Sequence, residues 1–217
     1  MRQRSAPVRF GALARRARSA PPLKGEALAP GMTVGLFGGS FDPPHAGHRH
    51  VAVSAMRRLG LDRIWWLVSP QNPLKTQAPS EYEDRFQRVK NLAYGPRMTV
   101  SDVENRLKAR LTARVIAALL QRYPRVNFVW LMGADNLKSF HRWVRWREIM
   151  DSLPIVIIAR PQDPVRARLA PAARIYAKAR APEYASQNLK RRTAPVWTYL
   201  CEPLHKESSS RLRRDNR

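Results

Sequence analysis

From Met32 onward, short apolar runs alternate with longer segments of helical period, and this alternation narrows the possible folds further than any other property of the sequence. Thr33 to Phe37 reads as a short buried strand. A Gly/Pro-rich turn follows, then a helix from about His45 to Leu59 that Gly60 closes. Arg63 to Val68 is a second strand, and Ser80 with Glu83 forms a capping box that opens a helix to about Tyr94. Met98 to Val103 gives a third strand, Leu111 to Tyr123 a third helix, and Asn127 to Met132 a fourth strand. A helical segment from about Asn136 to Met150 precedes a fifth strand, Pro154 to Ala159, and Val196 to Leu200 is the clearest strand of a less regular final third. Alternation at this spacing predicts the α/β class, an open, mostly parallel sheet with helices on both faces.

Composition bounds the rest. A length of 217 residues suits one domain with a small appendage. The longest apolar stretches are strand-sized, short of the roughly 18 residues of a membrane span, so no membrane segment is expected. The single Cys201 excludes an intramolecular disulfide framework and a cysteine-based metal site, which makes a reducing, cytoplasmic setting the expectation. The formal net charge of +24 first points to nucleic acid. Yet 32 of the 40 basic residues are Arg, they are scattered over every segment, and Arg, Ala and Pro all have G/C-heavy codons. A dedicated binder concentrates its charge on one face with aromatics between, so the charge alone does not mark a nucleic-acid partner.

Residues 1–31 differ from the remainder, with seven basic residues, one acidic residue and four prolines. They read as a basic, disordered N-terminal arm, with an organelle-type transit peptide or an overextended gene start at Met32 as the other readings. The domain is expected over residues 32–217.

In an open sheet of this kind, ligands bind beyond the carboxyl ends of the strands, near the point where strand order reverses. After the first strand comes Gly38-Gly39-Ser40-Phe41-Asp42-Pro43-Pro44-His45-Ala46-Gly47-His48. Two glycines allow a tight turn that brings N–H groups close to an anion, and the helix start adds partial positive charge. His45 and His48 share one helix face, which suits charge developing on a polyphosphate. Two other readings stay open on the residues alone: a plain turn with polar capping groups, or His45, His48 and His50 as metal ligands. Against the second, no Cys or carboxylate stands at ligand spacing.

The same stretch resembles the GxFDPxHxGH signature of the HxGH nucleotidyltransferase superfamily, and from about Val34 to Arg213 the chain is similar to bacterial nicotinate-nucleotide adenylyltransferases. Asn72-Pro73-Leu74-Lys75 resembles the family's N-P-H-K. Gly133-Ala134-Asp135-Asn136-Leu137 with Trp143 and Trp146 resembles its G-x-D-x-L…W pattern, Ala159-Arg160-Pro161 follows the fifth strand, and Ser208 to Arg213 resembles ISSTxIR. The resemblance implies a Rossmann-like nucleotidyltransferase fold and transfer of AMP from ATP to nicotinate mononucleotide in NAD biosynthesis. The products would be nicotinate adenine dinucleotide and pyrophosphate. Mg2+ would travel on the ATP, with no metal held by the protein's side chains. Such in-line transfer needs positioning and charge stabilisation more than a covalent group, consistent with the absence of a convincing nucleophile.

By the same resemblance, His45 and His48 are catalytic. Gly38, Gly39, Ser40, Phe41, Ser208, Ser209 and Arg213 join them at ATP, and Lys75, Thr112, Asp135 and Trp143 bind the mononucleotide, Trp143 by stacking on its ring. On residue type alone, Asp135 could equally be a helix N-cap, Trp143 core and Lys75 an exposed surface lysine. Leu111, Val115, Leu74 and Glu207 depart from the family pattern. Leu111 and Val115 remove hydroxyls around the acceptor pocket, so another acceptor such as nicotinamide mononucleotide or phosphopantetheine remains an alternative. A basic nucleic-acid-binding protein on the same fold is a second. A homo-oligomer is compatible with the sequence.

Overall fold

The computed structural model describes residues 27–70, 81–107, 109, 111–159 and 169–202. Strands form where apolar residues run together. β1 (Thr33–Gly39), β2 (Arg63–Val68), β4 (Asn127–Gly133) and β5 (Ile155–Ala159) are buried nearly end to end, as strands covered on both faces must be. β3 (Met98–Ser101) and β6 (Trp197–Cys201) complete a sheet in which every pairing is parallel, in the order β3-β2-β1-β4-β5-β6. The chain lays strands outward from β1, then returns to its other side with β4. The order therefore reverses between β1 and β4.

Alternate residues of each strand feed two cores. Val34, Leu36, Trp65, Trp130 and Tyr199 face one way; α4 (Thr112–Arg122), α5 (Ala134–Phe140), α6 (Trp146–Ser152) and α7 (Pro171–Ile175) cover them. Phe37, Trp66, Leu131 and Ile158 face the other way, under α1 (Ala46–Leu59), α2 (Tyr82–Leu92) and the 3-10 segment Glu183–Arg191. At the start of the described chain, Leu28 packs on the first core and Gly31 N donates to Arg125 O at 2.6 Å.

Three expectations are corrected. The third strand stops at Ser101 because Val103–Arg106 forms a one-turn helix, α3, whose start is held by Val103 N donating to Ser101 Oγ and by an Asp102–Arg106 ion pair at 2.6 Å. The second helix begins at Tyr82 with Glu81 as its N-cap, so Glu83 is its second residue, and the Ser80 of the expected capping box lies outside the described residues. The segment from Asn136 to Met150 is two helices, parted at Arg145, which takes φ 61° and grips Glu148 through two 2.6 Å hydrogen bonds. A continuous helix would turn Trp146 off the Phe140 face. The break lets Trp143 and Trp146 both pack edge-on against Phe140, at 5.3 and 6.0 Å.

Candidate active site

β1 and β4 define the centre of the carboxyl edge: Phe37 pairs with Leu131, so Gly39 and Gly133 stand level with each other at the reversal of strand order. Gly38 lies directly over Trp130, whose indole occupies the space a Cβ would need. The chain then turns through Ser40 and Phe41. Phe41 takes φ 45°, a left-handed conformation that a residue with a side chain rarely adopts, and a cis Asp42–Pro43 bond follows. The Phe41 ring is 2% exposed and sits edge-on to Phe37 at 5.4 Å and to His48 at 5.1 Å, with Trp66 at 5.3 Å. This packing holds the backbone in its strained state.

His45 is the N-cap of α1 and His48 is its third residue. His48 N donates to His45 O at 2.8 Å, and His45 N donates to His48 Nδ1 at 3.2 Å. The two rings lie 3.9 Å apart. An Nδ1 that accepts carries no proton, so the neutral His48 ring holds its proton on Nε2 as a donor. The capping and the chemical readings thus meet in the same residues, since the cap fixes the tautomer and ring orientation that an anion at the helix start would use.

Asp135 is not an N-cap. Gly133 holds that position, and exposed Asp135 folds its carboxylate back over Gly133, next to the end of β1. Thr112 is the first residue of α4 and half-exposed. Half-buried Trp143 sits in the turn between α5 and α6, edge-on to Trp130 at 6.3 Å. Both lie on the face of the sheet opposite α1. Gly38, Gly39, Ser40, Phe41, His45 and His48 therefore gather at the junction of β1 and α1, with Asp135 across the β1–β4 seam and Thr112 and Trp143 beyond it. Val115 is wholly buried in the core. Lys75, Ser208, Ser209 and Arg213 lie outside the described residues. Cys201, the last residue of β6, is exposed.

Beneath the loop stands a group that the sequence reading passed over. Arg85 of α2 is 1% exposed, and its guanidinium donates to Ser40 O at 2.6 Å, Ser69 O at 2.8 Å and Pro70 O at 3.0 Å. Burial lowers its pKa, while Asp42 and then Tyr82 pull it back up. Ser69 N donates to Gly39 O at 3.0 Å, and the Ser69 side chain is hydrogen-bonded to Glu104, whose carboxyl burial pushes up to about 7. Burial, followed by Asp102 and Glu104, raises Tyr82 to about 12. One arginine among 32 has no local signature; only its place three residues into an amphipathic helix, on the apolar side, could have marked it. Among the described residues no three His, Cys, Asp or Glu side chains cluster to hold a metal, and no helix is long and apolar enough to cross a membrane.

A loop of tight backbone and two helix-start histidines, set at the strand-order reversal of a parallel sheet, defines a nucleotidyltransferase, and the cytidylyltransferase-like family matches residues 36–215. Within that class the chain belongs to the nicotinate-nucleotide adenylyltransferase family. Proteins of Roseobacter denitrificans and Caulobacter sp., both named probable nicotinate-nucleotide adenylyltransferase, are each 50% identical to it. Both alignments cover 84% of this chain, with 92% of the first relative and 97% of the second. The fold matches a Plasmodium falciparum nicotinic acid mononucleotide adenylyltransferase complexed with NaAD, at TM-score 0.62 and 16% identity over 84% of this chain and 83% of that one. The same protein complexed with APC matches at TM-score 0.61 with the same identity and coverage.

Proposed function

We infer that the chain transfers the adenylyl group of ATP to nicotinate mononucleotide, giving nicotinate adenine dinucleotide and pyrophosphate in NAD biosynthesis. The observation that carries this is the His45–His48 pair, capped and oriented at the start of α1 beside the end of β1. In the reaction an oxygen of the mononucleotide phosphate attacks the α-phosphorus in line, and the bond from that phosphorus to the bridging oxygen breaks as pyrophosphate leaves. Charge builds on the phosphoryl oxygens, and donors already aimed at them lower the barrier without reorganising.

In this reading the Nε2–H of His48 and the His45 ring face the triphosphate, and the Gly38 to Phe41 backbone lines its path. ATP arrives with Mg2+ as part of the substrate. Ser208, Ser209 and Arg213 add hydroxyl and guanidinium donors on the ATP side, and Lys75 a mobile charge on the acceptor side. Trp143, braced edge-on by Trp130 and Phe140, offers a flat face to the pyridine ring, with Asp135 and Thr112 as polar partners of the mononucleotide. The net charge of +24 concentrates polyanions near the protein, and the reaction belongs in the cytoplasm.

The test is pyrophosphate release from Mg-ATP with nicotinate mononucleotide, nicotinamide mononucleotide and phosphopantetheine offered separately. Turnover is expected to be fastest with the first. Equal or faster turnover with either of the others would overturn the acceptor assignment. Release with none of them, alongside tight and steeply salt-dependent RNA binding, would overturn the enzyme reading.

A further inference from the structure

Building on the adenylyl-transfer reading, we propose that Arg85 is a positioning residue that aims the Phe41 amide at the bound polyphosphate by gripping the carbonyl of the same peptide unit. In a planar trans peptide the C=O and the N–H point in opposite directions. The Ser40–Phe41 bond is trans, the cis bonds among the described residues being Asp42–Pro43 and Ala194–Pro195. With Ser40 O held 2.6 Å from Arg85 Nη1, the Phe41 N–H points away from α2. A left-handed residue beside a right-handed helical one turns successive amides toward one concave side, the geometry that cradles phosphate oxygens, and Phe41, at φ 45°, supplies the left-handed half of such a pair.

The choice of arginine follows from the number of oxygens to be held. Ser40 O belongs to the loop after β1, and Ser69 O and Pro70 O to the chain leaving β2, so one side chain joins two loops. A rigid fork can satisfy three carbonyls at once, whereas an ammonium at the end of a flexible stem cannot fix their directions. The Ser69 N–H, bonded to Gly39 O at 3.0 Å, makes the junction two-point and stops the loop from pivoting. Arg85 itself is too buried to touch the nucleotide. Its influence passes through the peptide plane.

The experiment compares wild type with Arg85→Lys, which keeps the charge and loses the fork. Calorimetric binding of inorganic tripolyphosphate and of nicotinate mononucleotide is measured for each, with thermal unfolding to show that both fold. Tripolyphosphate is expected to bind Arg85→Lys roughly tenfold more weakly, with mononucleotide affinity within about twofold of wild type. Isotope-labelled phenylalanine gives six backbone amides to follow; that of Phe41 is expected to shift on adding tripolyphosphate to wild type and to stay still in the variant. Unchanged tripolyphosphate affinity in Arg85→Lys would show that charge alone matters and would overturn the proposal. So would equal loss of both ligands, or a wild-type Phe41 amide that ignores tripolyphosphate. A wild type that binds tripolyphosphate through Phe41 but turns over no mononucleotide would instead overturn the proposed function, with the role of Arg85 intact.

Discussion

The backbone N–H of His45 donates to Nδ1 of His48 at 3.2 Å, so the residue that caps α1 also sets the protonation pattern of the ring one turn above it. Two substitutions separate these duties. In His48→Asn the short amide oxygen can still accept from the cap, while the distal donor is gone. Folding stability is expected to stay near wild type and pyrophosphate release to fall about 100-fold or more. His48→Gln offers an amide oxygen that can reach back to the cap N–H and an amide donor at the distal position. It should recover part of the rate with stability close to wild type. Steady-state rates and thermal unfolding check both.

Glu104, buried against Ser69, makes stability depend on pH. Its folded pKa of about 7 lies above the unfolded value of about 4.5, so the folded chain binds the proton more tightly. The stabilisation is complete below about 4.5 and is lost as pH rises through about 7. A difference of this size corresponds to about 3 kcal/mol. Urea unfolding across that window should show wild type losing stability relative to Glu104→Gln, which keeps a hydrogen-bonding side chain and cannot ionise. Parallel pH curves for the two proteins would contradict the burial argument.

Trp143 rests edge-on against Trp130 and Phe140 with part of its surface open. Replacement by Ala removes the proposed stacking face, and the KM for nicotinate mononucleotide is expected to rise about tenfold, in keeping with roughly 1 to 1.5 kcal/mol for an aromatic pair. The KM for ATP should move little. Trp143→Phe should fall between wild type and Ala. If Ala raises both KM values together, the ring is only a support for the core.

Gly38 answers to packing. A Cβ there would collide with the far end of the Trp130 indole, so Gly38→Ala is expected to cost about 1 to 3 kcal/mol through overpacking. Trp130→Phe should relieve that cost in the double variant, leaving a coupling energy between the two sites that denaturant titration would read. Additive effects would mean that the contact is not the cause.

Much of the sheet was legible in the sequence because a strand buried on both faces needs an unbroken apolar run, and Arg63 to Val68 supplies one whose bounds match β2. The turn between β1 and α1 was legible because its glycines and histidines are rare types held at fixed spacing. The break at Arg145 was not. Nothing in Arg145 asks for a left-handed conformation, and the cause lies in two tryptophans competing for Phe140. Arg85 was hidden for a related reason. A charged residue in a helix reads as solvent-facing, and only the meeting of two loops, 45 and 16 residues earlier, reveals what it holds. Glu104 likewise sat in a polar stretch that gave no sign of burial.

The central strand has its own consequence for synthesis of the protein. β1 can pair with β2 as soon as residues 63–68 emerge, but its other edge waits for Asn127, the partner of Thr33. Until then an apolar strand presents an open row of amides and carbonyls, a template for unwanted pairing between nascent chains. The seam between β1 and β4 is also where Gly39 and Gly133 come level. A half-made chain therefore lacks the proposed nucleotide site, which can take shape only once β4 has closed that edge.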